Sequence, residues 1–424
     1  MSGGTRVDPE RDVMVRAARA TFLVGAFLVP LTAVRSVAGF TVGDAALVVA
    51  TALCLLSLAR PPGRVPAGVA VASGLAVLAT MALAVTAPAP TLELAVGARL
   101  CMVWLVWTWV ATVVLRTPAH VVGAATAFVL GACLSSVVAL GQLAGVDLRP
   151  LFLATPDEGT TARFVGLGGH ANGQGGCLAV ALVLCLAAVL ARHRRIGELV
   201  ATAFVAVGLL LTASITGLLT AAVGLLVLLW RARSPRAAFG GILGIGAAAL
   251  ALVILRRAFP AVVTPFDRYE SAIGVGGTST VGQRMQTIRF AWESIRSDPF
   301  SGIGFGQGGG TYNGVTQAHN MLVLSWYQGG VLLLLAVVVM CVTALVVGWR
   351  ARGLLGTALL AATVAALFFA QTGPSLYDRF VWFPAVLLLA AVAAQGRDES
   401  GASRPPGRLV RAGRRAERDA AARV

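Results

Sequence analysis

The residues of this chain that are able to do chemistry are concentrated between positions 282 and 330. His319 stands where a glycine-rich segment ends and a long apolar run begins. Imidazole has an unperturbed pKa near neutrality, so His319 has the chemistry of a general base that takes a proton from a hydroxyl. The same position also suits a histidine that caps a helix or hydrogen-bonds a carbonyl at a membrane interface. From this residue alone both interpretations stay open.

Arginines accompany the histidine in two polar loops. Arg284 and Arg289 lie on a helix-like segment before the glycines, and Arg163 lies in an earlier loop. A guanidinium binds phosphate oxygens through two parallel hydrogen bonds and keeps its charge at any working pH. Each arginine alone could instead pair with a lipid headgroup or with a carboxylate such as Glu293. Glycine-rich backbone beside both loops offers N–H groups to an anion, which favours a phosphate site.

Two glycine-rich motifs flank these charges. The motif GIGFGQGGG contains Gly304 and Gly306, but it lacks the GK[ST] ending and the strand-to-helix context of a nucleotide-binding loop. The motif GGHANGQGG contains His170 and Asn172, which either line the same cavity or form a flexible turn. Acidic pairs with catalytic or metal-ligand spacing are sparse outside the apolar runs, so we predict no metal and no cofactor. The six cysteines show no CxxC or Cys/His spacing.

The elements that must position these residues are membrane helices. The chain is 57% hydrophobic and only 12% charged, with a mean hydropathy of +0.83, which predicts an all-α polytopic integral membrane protein. A span needs about 20 apolar residues. Twelve such runs lie near residues 17–34, 41–59, 66–86, 92–114, 119–143, 173–191, 198–213, 215–230, 237–255, 320–348, 353–372 and 380–395.

The arginines predict the orientation of these about 12 transmembrane helices. The formal charge is +16, and the basic residues fall in the N-terminal segment, in alternate gaps between runs and in the tail. The positive-inside rule therefore places both termini in the cytoplasm, and it explains the basic excess without nucleic acid. We predict a single membrane domain over residues 1–395, external loops at about 144–172 and 256–319, and a disordered basic cytoplasmic tail over 396–424. The larger loop precedes the tenth helix.

These motifs together resemble the bacterial O-antigen ligase and polymerase family, multi-spanning enzymes that use polyprenyl-diphosphate-linked glycans. The resemblance covers roughly residues 160–345. It rests on RFVGLGGHAN at 163–172, on an Arg-x(7)-Trp pattern in QRMQTIRFAW, on the loop SGIGFGQG, on His-Asn before a helix and on Gln-Gly-Gly at 328–330. It implies a GT-C-like membrane fold with a large external loop.

The resemblance also implies roles for residues. His319 would activate the acceptor hydroxyl. Arg163, Arg284 and Arg289 would hold the donor diphosphate. The supporting positions would be Asn320, Asn172, His170, Gly304 and Gly306.

One position departs from the family pattern. Members often show a Ser-Arg-Gly-like turn where this chain reads Ser214-Ile215-Thr216-Gly217. The cation is absent at Ile215, and Arg256, Arg257 or Arg289 are the candidates to replace it.

The implied activity is a membrane glycosyltransferase of the bacterial cytoplasmic membrane, with its active site facing outside. It would move a glycan from a polyprenyl diphosphate carrier to a hydroxyl of a glycan, lipid or wall-polymer acceptor, without a metal and with inversion. Ligase and polymerase activity are not distinguished. The alternative is a lipid-linked glycan flippase or transporter, which would share the twelve spans. Such a protein is expected to carry charges within the membrane, whereas this chain concentrates them in loops, with Asp44, Glu93 and Arg99 as the nearest exceptions.

Overall fold

The fold is helical. The computed structural model describes residues 9–34, 41–57, 65–152, 154, 163–191, 196–233, 253–254, 256–258, 263–273, 280–305, 311–312 and 316–402. The helices are α1 (Pro9–Leu28), α2 (Val42–Leu56), α3 (Ala67–Thr86), α4 (Pro90–Cys101), a π-helical turn (Met102–Val106), α5 (Trp107–Val114), α6 (Pro118–Leu143), a 3-10 turn (Arg149–Phe152), α7 (Ala171–Leu190), α8 (Ile196–Leu211), α9 (Ile215–Ala232), α10 (Pro265–Ile273), α11 (Thr280–Ser297), α12 (Met321–Arg350), α13 (Gly353–Ala370) and α14 (Arg379–Ala402). The strands β1 (Thr311–Tyr312) and β2 (Thr316–Gln317) pair antiparallel.

The predicted polytopic membrane protein is confirmed at the level of helices. Each predicted run coincides with a helix except 237–255, nearly all of which lies outside the described residues. Within the described residues, eight helices are long and apolar enough to cross a membrane, counting Pro90–Val114 as one continuous span. Helices α2 and α8 are shorter apolar helices. The total of twelve spans and the sides of the termini remain predictions.

The two ends of the bundle differ in charge. At one end, Arg231 donates from Nη2 to the carbonyls of Trp349 and Ala351, both at 2.7 Å. At the same end of the bundle, Arg397 donates from Nη1 and Nη2 to the carbonyl of Thr112, both at 3.2 Å. Cations stabilise helix C-termini, where carbonyls lack partners. The arginines expected on the cytoplasmic side thus meet where helices α5, α9 and α12 end.

The centre of the bundle is packed around α14. The Phe383 ring lies 5.5 Å from that of Phe128 in α6, and 6.3 Å from that of Phe22 in α1. Trp382 meets Trp104 of the π-helical turn edge-on at 5.1 Å. Between membrane helices such close packing, rather than exclusion of water, stabilises association. The start of α14 is therefore fixed relative to α1, α6 and the π-helical turn.

Helix α12 is interrupted near its first third. Gly330 has a φ of +65°, outside the helical range, inside an element of 30 residues. An added Cβ there would collide with the carbonyl of Phe300. The Gln-Gly-Gly motif is thus a kink inside a helix, against which the segment after α11 packs.

The C-terminal boundary differs from the expectation. Helix α14 continues to Ala402, past the predicted end of the twelfth run at residue 395. Residues 403–424, the rest of the predicted tail, lie outside the described part of the chain.

Candidate functional site

A cavity of about 320 Å³ lies opposite the arginine-rich end of the bundle. Its walls come from the starts of α7, α9 and α14, the residue before the cap of α12, the end of α13, and α11 from the side. The polar residues that line it are Thr32, His170, Asn172, Thr216, Arg284, His319, Thr372, Ser375 and Asp378. Of the predicted site residues, it therefore brings together His319, Arg284, His170 and Asn172.

Three helices, α7, α9 and α12, begin beside this cavity, and each has a side chain that caps its N-terminus. His170 caps α7 through Nδ1, which accepts from the Asn172 amide at 3.2 Å. Ser214 caps α9, and Asn320 caps α12 by accepting from the Val323 amide at 3.0 Å. Each helix N-terminus carries a partial positive charge and unpaired N–H groups. An anion in the cavity would face several of these ends at once.

Asn320 has a second contact beyond its cap. Its Nδ2 donates to the carbonyl of Gln371 at 3.2 Å, which ties the start of α12 to the end of α13. This amide therefore fixes the position of the preceding residue, His319, against the cavity wall formed after α13.

His319 is held in one tautomer. Its Nδ1 lies 3.0 Å from the carbonyl oxygen of Gln317, which only accepts, so Nδ1 carries the proton and Nε2 carries the lone pair. Its amide donates to Thr287 Oγ1 at 3.4 Å. The ring is therefore oriented by β2, and its backbone is held by α11.

The environment keeps His319 neutral. Burial of the ring, together with the positive charge of Arg284, lowers the pKa of His319 to about 4. The imidazole is then unprotonated at neutral pH, and its Nε2 lone pair is available to accept a proton. The low value also makes it a weak base until an anion offsets the charge of Arg284.

Arg284 is the arginine of the predicted set that lines the cavity. It is half-buried, and its Nη1 donates to Thr216 Oγ1 at 3.2 Å. Burial lowers its pKa, with a further contribution from Arg268. Thr216 follows Ile215 directly, so α11 brings a cation to the turn at which the sequence resemblance predicts one.

The other candidates for that missing cation lie elsewhere. Arg256 pairs with Asp267 at 3.5 Å. Arg257 and Arg289 are exposed, and none of the three lines the cavity. Arg289 sits five residues after Arg284, on a different face of α11, because successive helical residues are rotated by about 100°.

Arg163 lies behind the cavity wall. Its Nε donates to the carbonyl of Thr212, and its Nη2 donates to Asn172 Oδ1, both at 2.9 Å. Ser214 Oγ donates to the same Asn172 oxygen at 3.3 Å. Arg163 therefore orients Asn172, which faces the cavity.

The loop that carries Arg163 and His170 is fixed through its own backbone. Gly166 has a φ of +59°, which only glycine adopts without strain. Three amides of the loop donate to side chains of neighbouring elements: Gly166 to Gln142 Oε1 (3.0 Å), Leu167 to Ser135 Oγ (2.9 Å) and Gly169 to Thr32 Oγ1 (2.8 Å). The loop is thus a rigid part of the wall.

The described part of the GIGFGQGGG motif binds a protein carboxylate. Gly304 has a φ of +85°, and its amide donates to the carbonyl of Gln328 at 2.9 Å. The amide of Phe305 donates to both oxygens of Glu93, at 3.0 and 3.1 Å. Gly304 does not line the cavity, and Gly306 lies outside the described residues.

Sequence reasoning missed Asp378, the one carboxylate among the residues that line this cavity. Burial raises its pKa, while a hydrogen bond from Ser375 and the charge of Arg379 act in the opposite direction. The neighbouring Arg379 forms an ion pair with Asp44 of α2. The available signal was an Asp-Arg pair at the mouth of the last apolar run.

Comparison with known protein families gives one finding that bears on this geometry. Residues 200–338 match the family described as O-antigen ligase. The match covers about a third of the chain and includes Thr216, Arg284 and His319. No curated protein matches the chain. The resemblance read from the motifs is thereby confirmed, and with the membrane helices it supports a ligase- or polymerase-like role in a membrane.

Proposed function

We propose that the protein is a membrane glycosyltransferase that moves a glycan from a polyprenyl diphosphate carrier to an acceptor hydroxyl. The observation that carries the proposal is the shared cavity of His319 and Arg284, within the segment that matches the O-antigen ligase family. A base and a permanent cation are the two groups that such a transfer needs from the protein.

In this proposal the donor diphosphate binds at Arg284 and at the starts of α7 and α9. The guanidinium and the helix N-termini stabilise the negative charge that develops on the departing diphosphate. Asn172, held by Arg163, would donate from its amide nitrogen to the same phosphates, because its oxygen already accepts from the protein. Arg284 and the helix ends supply the charge stabilisation that other transferases obtain from a metal.

His319 acts as the general base. The acceptor O–H proton passes to Nε2, the acceptor oxygen forms a bond to the anomeric carbon, and the bond from that carbon to the diphosphate oxygen breaks. Attack from the side opposite the diphosphate inverts the anomeric centre. The bound diphosphate offsets the charge of Arg284, so donor binding raises the pKa of His319 and strengthens the base.

The site would lie on the outer face of the bacterial cytoplasmic membrane. The arginine-rich end lies opposite the cavity, and the positive-inside rule assigns that end to the cytoplasm. The acceptor, a second lipid-linked glycan, a lipid or a wall polymer, would enter beside Asp378 and Ser375.

The test uses purified protein in liposomes with a polyprenyl-diphosphate oligosaccharide. We expect longer lipid-linked products with donor alone if the protein is a polymerase, or products only after a different acceptor is added if it is a ligase. His319→Ala should lower transfer by about 10²- to 10⁴-fold. The matched control is His120→Ala at the other end of the bundle, where His120 contacts Arg19.

Two outcomes would contradict the proposal. Full transfer by His319→Ala would remove the base from the mechanism. No product with any acceptor, while labelled donor crosses the bilayer, would indicate the flippase or transporter instead.

A further inference from the structure

Helix α11 carries an apolar stripe that the protein covers only in part. Thr287, Ala291 and Ile295 form its buried face. Met285 and Trp292 are 47% and 45% exposed. The two are seven residues apart, so they lie on the same side of the helix, beside the buried face. An exposed tryptophan and methionine on one helical stripe are typical of a surface that another apolar phase covers.

Exposed arginines border this stripe. Arg289 lies one turn after Met285, and Arg296 lies one turn after Trp292. Neither lines the cavity, and among the described residues neither side chain has an ion pair or hydrogen bond. The opposite face carries Gln286, which is also exposed. Around the helix, apolar residues are followed by arginines and then by polar residues. This order matches the acyl chains, the headgroups and the water of a lipid surface.

The packing of α11 places it at the level of that surface. Trp292 meets Trp326 edge-on at 5.7 Å, and Trp326 Nε1 donates to the carbonyl of Pro299 at 2.8 Å. Trp326 belongs to the first turns of α12, a helix of 30 residues. Such a helix is about 45 Å long, whereas the hydrocarbon core is about 30 Å thick. Because the far end of α12 meets the arginine-rich end of the bundle, its first turns stand at the opposite headgroup region.

The segment after α11 extends the apolar surface. Phe300 is 73% exposed, and Ile303 is also exposed. Phe300 precedes the GIGFGQGGG motif and Ile303 lies within it, and Glu93 binds this motif through the Phe305 amide. The surface is therefore built on a backbone tied to the membrane helices rather than on a free loop.

We infer that α11 is an interfacial helix seated on an anionic phospholipid bilayer. Met285 and Trp292 enter the acyl boundary, and Arg289 and Arg296 bind headgroup phosphates. Arg284 and Thr287 project from the cavity side of the same helix. The lipid surface therefore fixes, along the membrane normal, the position of the Arg284 guanidinium and of the Thr287 hydroxyl that accepts from the His319 amide. This inference goes beyond the proposed transferase and depends only on a membrane setting.

A depth measurement tests the inference without any activity. A genetically encoded keto amino acid is placed singly at Met285, Trp292, Gln286 or Glu293 and coupled to a nitroxide, which leaves the native cysteines in place. The proteins are reconstituted in phosphatidylcholine vesicles containing phosphatidylglycerol. We expect labels at 285 and 292 to be accessible to oxygen and shielded from a water-soluble nickel chelate, and labels at 286 and 293 to show the reverse. Equal nickel access at all four positions would overturn the inference.

The arginines have a separate test. In Arg289→Gln with Arg296→Gln, we expect the label at 292 to gain nickel access, and its dependence on the phosphatidylglycerol fraction to disappear. Gln286→Ala is the matched control on the water face. If the double variant instead loses donor binding in detergent micelles that contain no anionic lipid, Arg289 or Arg296 serves the donor and the inference is wrong.

Discussion

Arg284 of α11 donates to the hydroxyl of Thr216, at the start of α9 and 68 residues earlier in the chain, over 3.2 Å. This contact joins α11 to the membrane bundle. It also brings a guanidinium beside the turn that begins at Ile215, where the resemblance to the O-antigen ligase family predicts a cation. A cation therefore lies beside this turn, although the turn itself carries none.

Arg284→Lys tests whether the site needs a guanidinium or only a charge. Lysine keeps the charge but cannot form two parallel hydrogen bonds. Loss of one charge-assisted hydrogen bond corresponds to about 1.5–3 kcal/mol, so we expect transfer to fall by about 10- to 100-fold. The measurement is product formation in liposomes, with Arg256→Lys, an exposed partner of Asp267, as control. Wild-type rates in Arg284→Lys would assign the residue a structural role.

The pH dependence of kcat/KM follows from the pKa of His319, about 4. The base must be unprotonated, so its acidic limb should lie near that pH, and His319 should impose no change between pH 6 and 8. Removing the positive charge in Arg284→Gln raises the pKa of His319. The residual activity of that variant should therefore show its acidic limb at higher pH. If the acidic limb does not move, the charge of Arg284 does not influence the pKa of His319.

Arg163 and Asn172 should act as one unit. If Arg163 works only by orienting Asn172 Oδ1, then Arg163→Ala and Asn172→Ala should lower donor affinity to a similar extent, and the double variant should lose little more. The measurement is a double-mutant cycle on the donor KM. Losses that simply add would show that Arg163 contacts the donor independently.

Gly304→Ala should affect stability rather than chemistry. Its φ of +85° strains any L side chain, and an added Cβ would lie 2.9 Å from Glu93 Oε1. We expect a loss of roughly 1–2 kcal/mol, seen as a lower Tm in detergent. Gly123→Ala, where no heavy atom lies within 4 Å, is the matched control and should not lower the Tm. An unchanged Tm in Gly304→Ala would show that the glycine is not needed for its backbone.

The ion pair of Asp44 and Arg379 should stabilise the wall that carries Asp378. Asp44→Asn leaves a buried guanidinium without its carboxylate, which costs about 3–5 kcal/mol. Asp44 also accepts from the Thr41 amide at 2.8 Å. The double variant Asp44→Arg with Arg379→Asp, which exchanges the two charges, should therefore recover only part of the loss that Asp44→Asn or Arg379→Asp causes alone. Thermal unfolding of the three variants tests this, and no gain from the swap would argue that the cap contact dominates.

The helices were predictable from the sequence because an apolar run that crosses a bilayer finds no water there to satisfy its backbone N–H and C=O groups, which leaves few alternatives to a helix. The shared cavity of His319 and Arg284 followed from motifs that lie close together in the chain. To decide which of Arg284 and Arg289 lines the cavity, it was necessary to know which face of α11 is buried. The helical period of 3.6 residues, which places Thr287, Ala291 and Ile295 on one face, contained that information.

Contacts between distant segments were not predictable in this way. Glu93 binds the Phe305 amide across 212 residues, and no local pattern connects them. Asp378 enters the cavity only because aromatic packing fixes α14, while its sequence resembles any charged residue at the mouth of an apolar run. Such positions depend on how helices pack, which hydropathy does not encode.

The convergence of capped helix starts on one cavity has a thermodynamic consequence. The partial positive charges of the helix N-termini and the charge of Arg284 repel one another across the cavity. This repulsion raises the free energy of the folded protein when no anion is bound. A bound polyanion replaces that repulsion with attraction, and the folded protein should be harder to unfold when loaded than when empty. The diphosphate carrier of the proposed donor would therefore stabilise the folded protein in addition to delivering the glycan.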